Sequence, residues 1–159
     1  MNSLSPEALV AVEDSLLAAR PDDPALVEQL VNIHLSRAHG NKSISEYERV
    51  LKLDPRNAQA RYQITMHKGK RLYQQGSRTA LWDALVAFGK AAAAIDTLGE
   101  PHYWMARSYL KKDDMDFDLI LEAYNKALAR SLPDSLRNEI ETEKAALLKR
   151  KNTYQNFWH

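Results

Sequence analysis

The chain has 159 residues with 45% hydrophobic and 27% charged residues, the make-up of one ordinary folded domain. Lys plus Arg number 22 against 21 Asp plus Glu, a formal charge of +1, so nothing in the balance calls for nucleic acid or an anionic membrane as partner. There are no cysteines, which excludes disulfides, thiolate metal sites and cysteine catalysis but leaves the redox compartment open.

In chain order the apolar spacing predicts eight helices, at about 5–19, 23–38, 42–53, 57–75, 79–96, 100–112, 117–131 and 134–150. The first opens with Ser5-Pro6-Glu7: a capping hydroxyl, proline at the first helical position, and an acid near the positive helix end. No basic segment followed by a continuous apolar run precedes it in MNSLSPEALVAVED, so no signal peptide is expected. Leu26, Leu30, Ile33 and His34 form one stripe of the second helix; Leu81, Leu85, Phe88 and Ala92 form another in the fifth. Between the segments stand Pro21, Pro24, Gly40, Pro55, Gly76, Gly99, Pro101 and Pro133, residues that end helices or turn the chain. No stretch alternates at period two, so no sheet is expected. The helix 134–150 carries Leu136, Ile140, Ala146 and Leu147 on one face and reads as a capping helix. After it, 151–159 forms an aromatic tail, whose Tyr154, Phe157 and Trp158 either fold back onto the last hairpin or serve as a docking peptide or dimer contact.

The segments LLAARPDDPALVEQL and VLKLDPRNAQARYQI place Pro21 and Pro55 34 residues apart and superimpose Leu17 on Leu51 and Gln29 on Gln63. Less regular copies follow in AFGKAAAAID and LEAYNKALARSLPDS. With YERVLKLDP, FGKAAAAID and YNKALAR, these phrases resemble the tetratricopeptide repeat (TPR) family from about Glu7 to Arg130. The resemblance implies an all-α fold: a solenoid of about three antiparallel helix hairpins in a right-handed superhelix. It implies a single TPR-like domain over 1–159, with repeats at 5–133. Small residues at the helix crossings would be Ala84 and Ala91, then Ala106 and Ala127. A plain helical bundle is the alternative. From Ala58 to Ala84 the chain exceeds the family spacing by about seven residues, about one helical turn on each side of Gly76, so this hairpin should be the longer one. The turn at KKDDMDF is also extended.

Site chemistry is sparse. His34, His39, His67, His102 and His159 show no i, i+4 pair and no HExxH, and read as packing or surface residues. Asp114, Asp116 and Asp118 have the spacing of a calcium loop, but Leu119 stands where its glycine belongs and Asn125 where its bidentate glutamate belongs. Acids that cap the next helix are the better reading. No phosphate loop or nucleophile elbow occurs. No enzyme activity, cofactor or metal is therefore expected.

The resemblance implies a concave face lined by the first helix of each hairpin. Its residues would be Glu28, Gln29 and Asn32; then Tyr62, Gln63, Met66 and Lys70; then Tyr103, Trp104, Arg107 and Lys111. Aromatics, amides and a few cations suit a peptide groove. Glu28 and Gln63 stand where a clamp for a C-terminal carboxylate would place a lysine and an asparagine, which argues against such a clamp. The expected function is a non-catalytic module binding a protein or peptide, with neither nucleic acid nor membrane insertion, in the cytoplasm. A self-assembling homo-oligomer, or an accessory subunit of a larger complex, is the alternative.

Overall fold

The computed structural model describes residues 4–159; Met1–Ser3, the start of the stretch read for a leader, lie outside the described residues. The protein is all-α. Its helices are α1 Pro6–Ala19, α2 Pro24–Asn41, α3 Ile44–Leu53, α4 Ala58–Gln75, α5 Arg78–Ala94, α6 Glu100–Lys112, α7 Phe117–Leu128 and α8 Asp134–Trp158. Among the described residues no strand forms; Leu98 and Ser131 make an isolated bridge. No helix there is long and apolar enough to cross a membrane.

Helix starts are set by side chains that satisfy free backbone amides. Ser5 Oγ accepts from Ala8 N at 3.2 Å, Asp23 Oδ1 from Leu26 N at 3.1 Å, Asn57 Oδ1 from Ala60 N at 3.0 Å and Ser77 Oγ from Ala80 N at 3.1 Å. Pro6 and Pro24 occupy first-turn positions that have no amide to lose. Gly76 turns the chain between α4 and α5 at φ 70°.

Three helix ends depart from the sequence reading by three residues or more; among them the seventh helix, expected to reach 131, ends at Leu128. Gly40 was expected to break α2, yet the helix continues to Asn41, and the stop comes from Lys42 in the left-handed region at φ 49°. Glycine alone does not end a helix; a left-handed residue does. The expected end of α8 at residue 150 is also too early, because the aromatic tail is helical through Trp158. KNTYQNFW contains no proline or glycine. Arg150 and Lys151 hold it to Asp114 and Asp118, each at 2.9 Å.

The chain divides into two compact units, Met1–Ala60 and Arg61–His159. In the first, α2 packs against α1 and α3. Leu26, Leu30, Val31, Tyr47 and Val50 are buried there.

In the second unit α5, α6, α7 and α8 pack in sequence, each on the next. Tyr62 and Met66 of α4 cluster with Ala84, Phe88 and Ala91 of α5. The closest approach is at Gly69, where a Cβ would lie 2.5 Å from the Phe88 ring. A second cluster joins Tyr103 and Ala106 of α6, Ile120, Tyr124 and Ala127 of α7, and Ile140 and Leu147 of α8. Ala84, Ala91, Ala106 and Ala127, read as small crossing residues, are all fully buried. The 18 and 17 residues of α4 and α5 exceed the 13 and 12 of α6 and α7 by about a turn, as the spacing around Gly76 requires.

Candidate functional site

In the first unit, two turns frame a cavity of about 650 Å³. One is Pro21-Asp22-Asp23-Pro24, which leads into α2; the other is Asp54 to Asn57, which leads out of α3. Each turn is stiffened by its own acid or amide: Asp54 Oδ1 accepts from Arg56 N, and Asp23 and Asn57 cap the following helices. Between them α2 contributes Val27, Val31 and Leu35 as an apolar floor, with Glu28 and Asn32 on the rim. Glu28 and Asn32 are exposed and one turn apart, so both side chains are free to meet a ligand. Gln29 is exposed but lies outside the cavity lining.

Four carboxylates (Asp22, Asp23, Glu28, Asp54) and no Lys or Arg line this cleft. Such a rim attracts cations and N–H donors, and the floor suits an aliphatic stem.

The second unit corrects part of the expected groove. Tyr62, Met66 and Tyr103 are 6%, 4% and 2% exposed and belong to the interior, not to a binding face. The Tyr103 hydroxyl donates to Glu139 Oε1 and Glu143 Oε1, and that of Tyr124 donates to Glu143 Oε2 at 2.9 Å. Burial pushes the Tyr62, Tyr103 and Tyr124 phenols well above their ordinary range, with nearby glutamates adding to it. Gln63 is half-buried.

Lys70, Trp104, Arg107 and Lys111 do come together, around Tyr73. Lys70 Nζ pairs with Glu100 Oε1 at 2.8 Å and lies 5.2 Å from the Trp104 ring centre. The Arg107 guanidinium sits 5.2 Å from the Trp104 centre, 5.5 Å from Tyr73 and 5.7 Å from Tyr103. Lys111 Nζ lies 4.4 Å from the Tyr73 centre and donates to its carbonyl at 2.9 Å. Burial pulls the Arg107 pKa down, but Tyr103, Tyr73, Glu143 and Glu139 outweigh it, and the net shift is upward. The result is a strip of alternating cations and rings along α4 and α6 whose members already satisfy one another.

Tyr73 and Glu100 were legible in principle, lying three residues after Lys70 and four before Trp104. Glu143 was not: it meets Tyr103 across 40 positions of sequence.

His34, read as a packing or surface residue, is the centre of a buried ion network in the first unit. Its Nε2 lies 2.8 Å from Glu13 Oε2 and its Nδ1 2.5 Å from Glu46 Oε2. Arg49 reaches Glu13 Oε2 at 3.3 Å and Arg37 reaches Glu46 Oε1 at 2.9 Å. His34 and Glu13 are 2% and 1% exposed, so buried polar contacts join α1, α2 and α3.

Of the acids from Asp113 to Asp118, Asp114 and Asp118 meet α8, where they pair with Arg150 and Lys151. Asp113 Oδ1 accepts from Met115 N within the turn, and Asp116, at the start of α7, makes no capping bond with its side chain. Among the described residues no group of three His, Asp or Glu side chains is placed to hold a metal ion.

No protein-family model matches the chain, and no curated protein matches it either.

Proposed function

We propose that this protein is a non-catalytic interaction module of TPR-like helix hairpins that binds an extended protein segment bearing Lys or Arg side chains. The 34-residue step, and within each unit the packing of helices on their neighbours in chain order, support the hairpin reading. The observation that carries the binding reading is the cleft of the first unit, whose rim is acidic and whose floor is Val27, Val31 and Leu35. A lysine or arginine stem would cover the floor while its charged head meets Glu28, Asp22 or Asp54. Asn32 can pair with a peptide backbone through both its oxygen and its amide. An acidic segment would be repelled by the same rim.

The test is a peptide titration followed by amide chemical shifts. Lys- or Arg-containing peptides should perturb the amides of Asp22 to Leu35, and Glu28→Lys should weaken binding about tenfold or more. Binding of acidic peptides in preference to basic ones, or shifts that avoid this segment, would sink the proposal.

A further inference from the structure

The last turns of α8 carry a connected set of rings. Phe117, 8% exposed at the start of α7, lies 6.0 Å from Tyr154. Tyr154 lies 6.2 Å from Trp158, which lies 5.5 Å from Phe157. Exposure rises along the set, to 45% at Tyr154, 67% at Trp158 and 80% at Phe157. Tyr154, Phe157 and Trp158 are spaced i, i+3, i+4, so they share the face with which α8 packs on α7. That face outruns its support: Phe117 is the first residue of α7, and one more turn of α8 extends past it. Beside the rings lies a cavity of about 440 Å³ between Met115 and Phe117 on one side and Thr153 on the other. A projecting aromatic pair and an apolar recess thus occupy one patch.

Charge selects the occupant. The α8 side of the patch carries Lys149, Arg150 and Lys151; the turn before α7 carries Asp113, Asp114 and Asp116, and the first turn of α7 carries Asp118. The ion pairs Arg150–Asp114 and Lys151–Asp118 show that the two strips run side by side. A two-fold axis along their boundary would set the acidic strip of each copy against the basic strip of the other. An anionic lipid surface offers no partner for the acidic strip. We infer that this patch is a self-association site: Phe157 and Trp158 of one copy seat in the Met115–Phe117–Tyr154 recess of a second copy, in an isologous dimer. With roughly 200 Å² for a free aromatic side chain, the three rings expose about 400 Å² per copy, so a pair buries at most about 800 Å² of ring surface. That falls below the roughly 1,000 Å² of a stable specific interface, so the dimer should be weak, with a Kd of about 10–100 µM. The inference is independent of the peptide cleft.

Sedimentation velocity of the full chain from about 1 to about 500 µM is the test. The mass should rise from monomer towards twice that value. The double variant Phe157→Ala, Trp158→Ala should stay monomeric across the range; both side chains are exposed, so its circular dichroism should match the parent. Raising salt should weaken the dimer through the charged strips. A parent that remains monomeric throughout overturns the assignment. So does a double variant that dimerises as well as the parent, or a dimer that only tightens as salt is added.

Discussion

At the residue scale the first unit turns on His34. A buried imidazole between two carboxylates contributes little net stability as an ensemble, because desolvation offsets attraction. Removing the imidazole alone is another matter, since Glu13 and Glu46 stay behind. His34→Ala should cost about 3–5 kcal/mol in urea unfolding, whereas Arg37→Ala, at the exposed edge of the same network, should cost under about 1 kcal/mol. Equal effects would mean that the network is more hydrated than its burial implies. None of this could be read beforehand: His34 fell correctly on the apolar stripe of α2, but its partners stand 21 and 12 residues away. Helical periodicity reports which face is buried, not which charges meet there.

At the element scale most of the fold was legible, because its punctuation is local. Ser5-Pro6, Asp23-Pro24 and Ser77 mark helix starts through bonds that span three residues. The end of α8 was missed because nothing local stops it; what holds it is Phe117 and Asp118 of α7 and Asp114 of the turn before α7. The groove was legible only in part. Tyr62 and Gln63 are neighbours 100° apart on a helix, and that angle separates interior from surface. The α4–α5 crossing offers a sharper test. Gly→Ala inside a helix normally stabilises by up to about 1 kcal/mol. Gly40→Ala, with no atom within 4 Å of the new Cβ, should follow that rule. Gly69→Ala should instead destabilise by about 1–3 kcal/mol, because the methyl would displace the Phe88 ring. Thermal melts that shift the same way for both variants would refute the close crossing.

At the scale of the whole molecule, Tyr62, Tyr103 and Tyr124 set an alkaline limit. Tyr62, Tyr103 and Tyr124 have their pKa values raised above the ordinary 10.0, so the folded protein holds protons that the unfolded chain releases. Their contribution is fully present below pH 10 and is lost as pH rises beyond it. Phenolate absorbance from these three should therefore appear only together with the loss of helical circular dichroism. Titration of Tyr62, Tyr103 and Tyr124 with the helices intact would contradict their burial. The loops of the second unit obey a different constraint. Gly99 N donates to the Ser131 carbonyl and Ser131 N to the Thr97 carbonyl, both at 2.9 Å. A joint made wholly of main chain does not depend on which side chains flank it, so Thr97, Leu98 and Ser131 can drift in identity without parting the loops. Gly99 has no such latitude, for any Cβ there would collide with the Ala127 carbonyl.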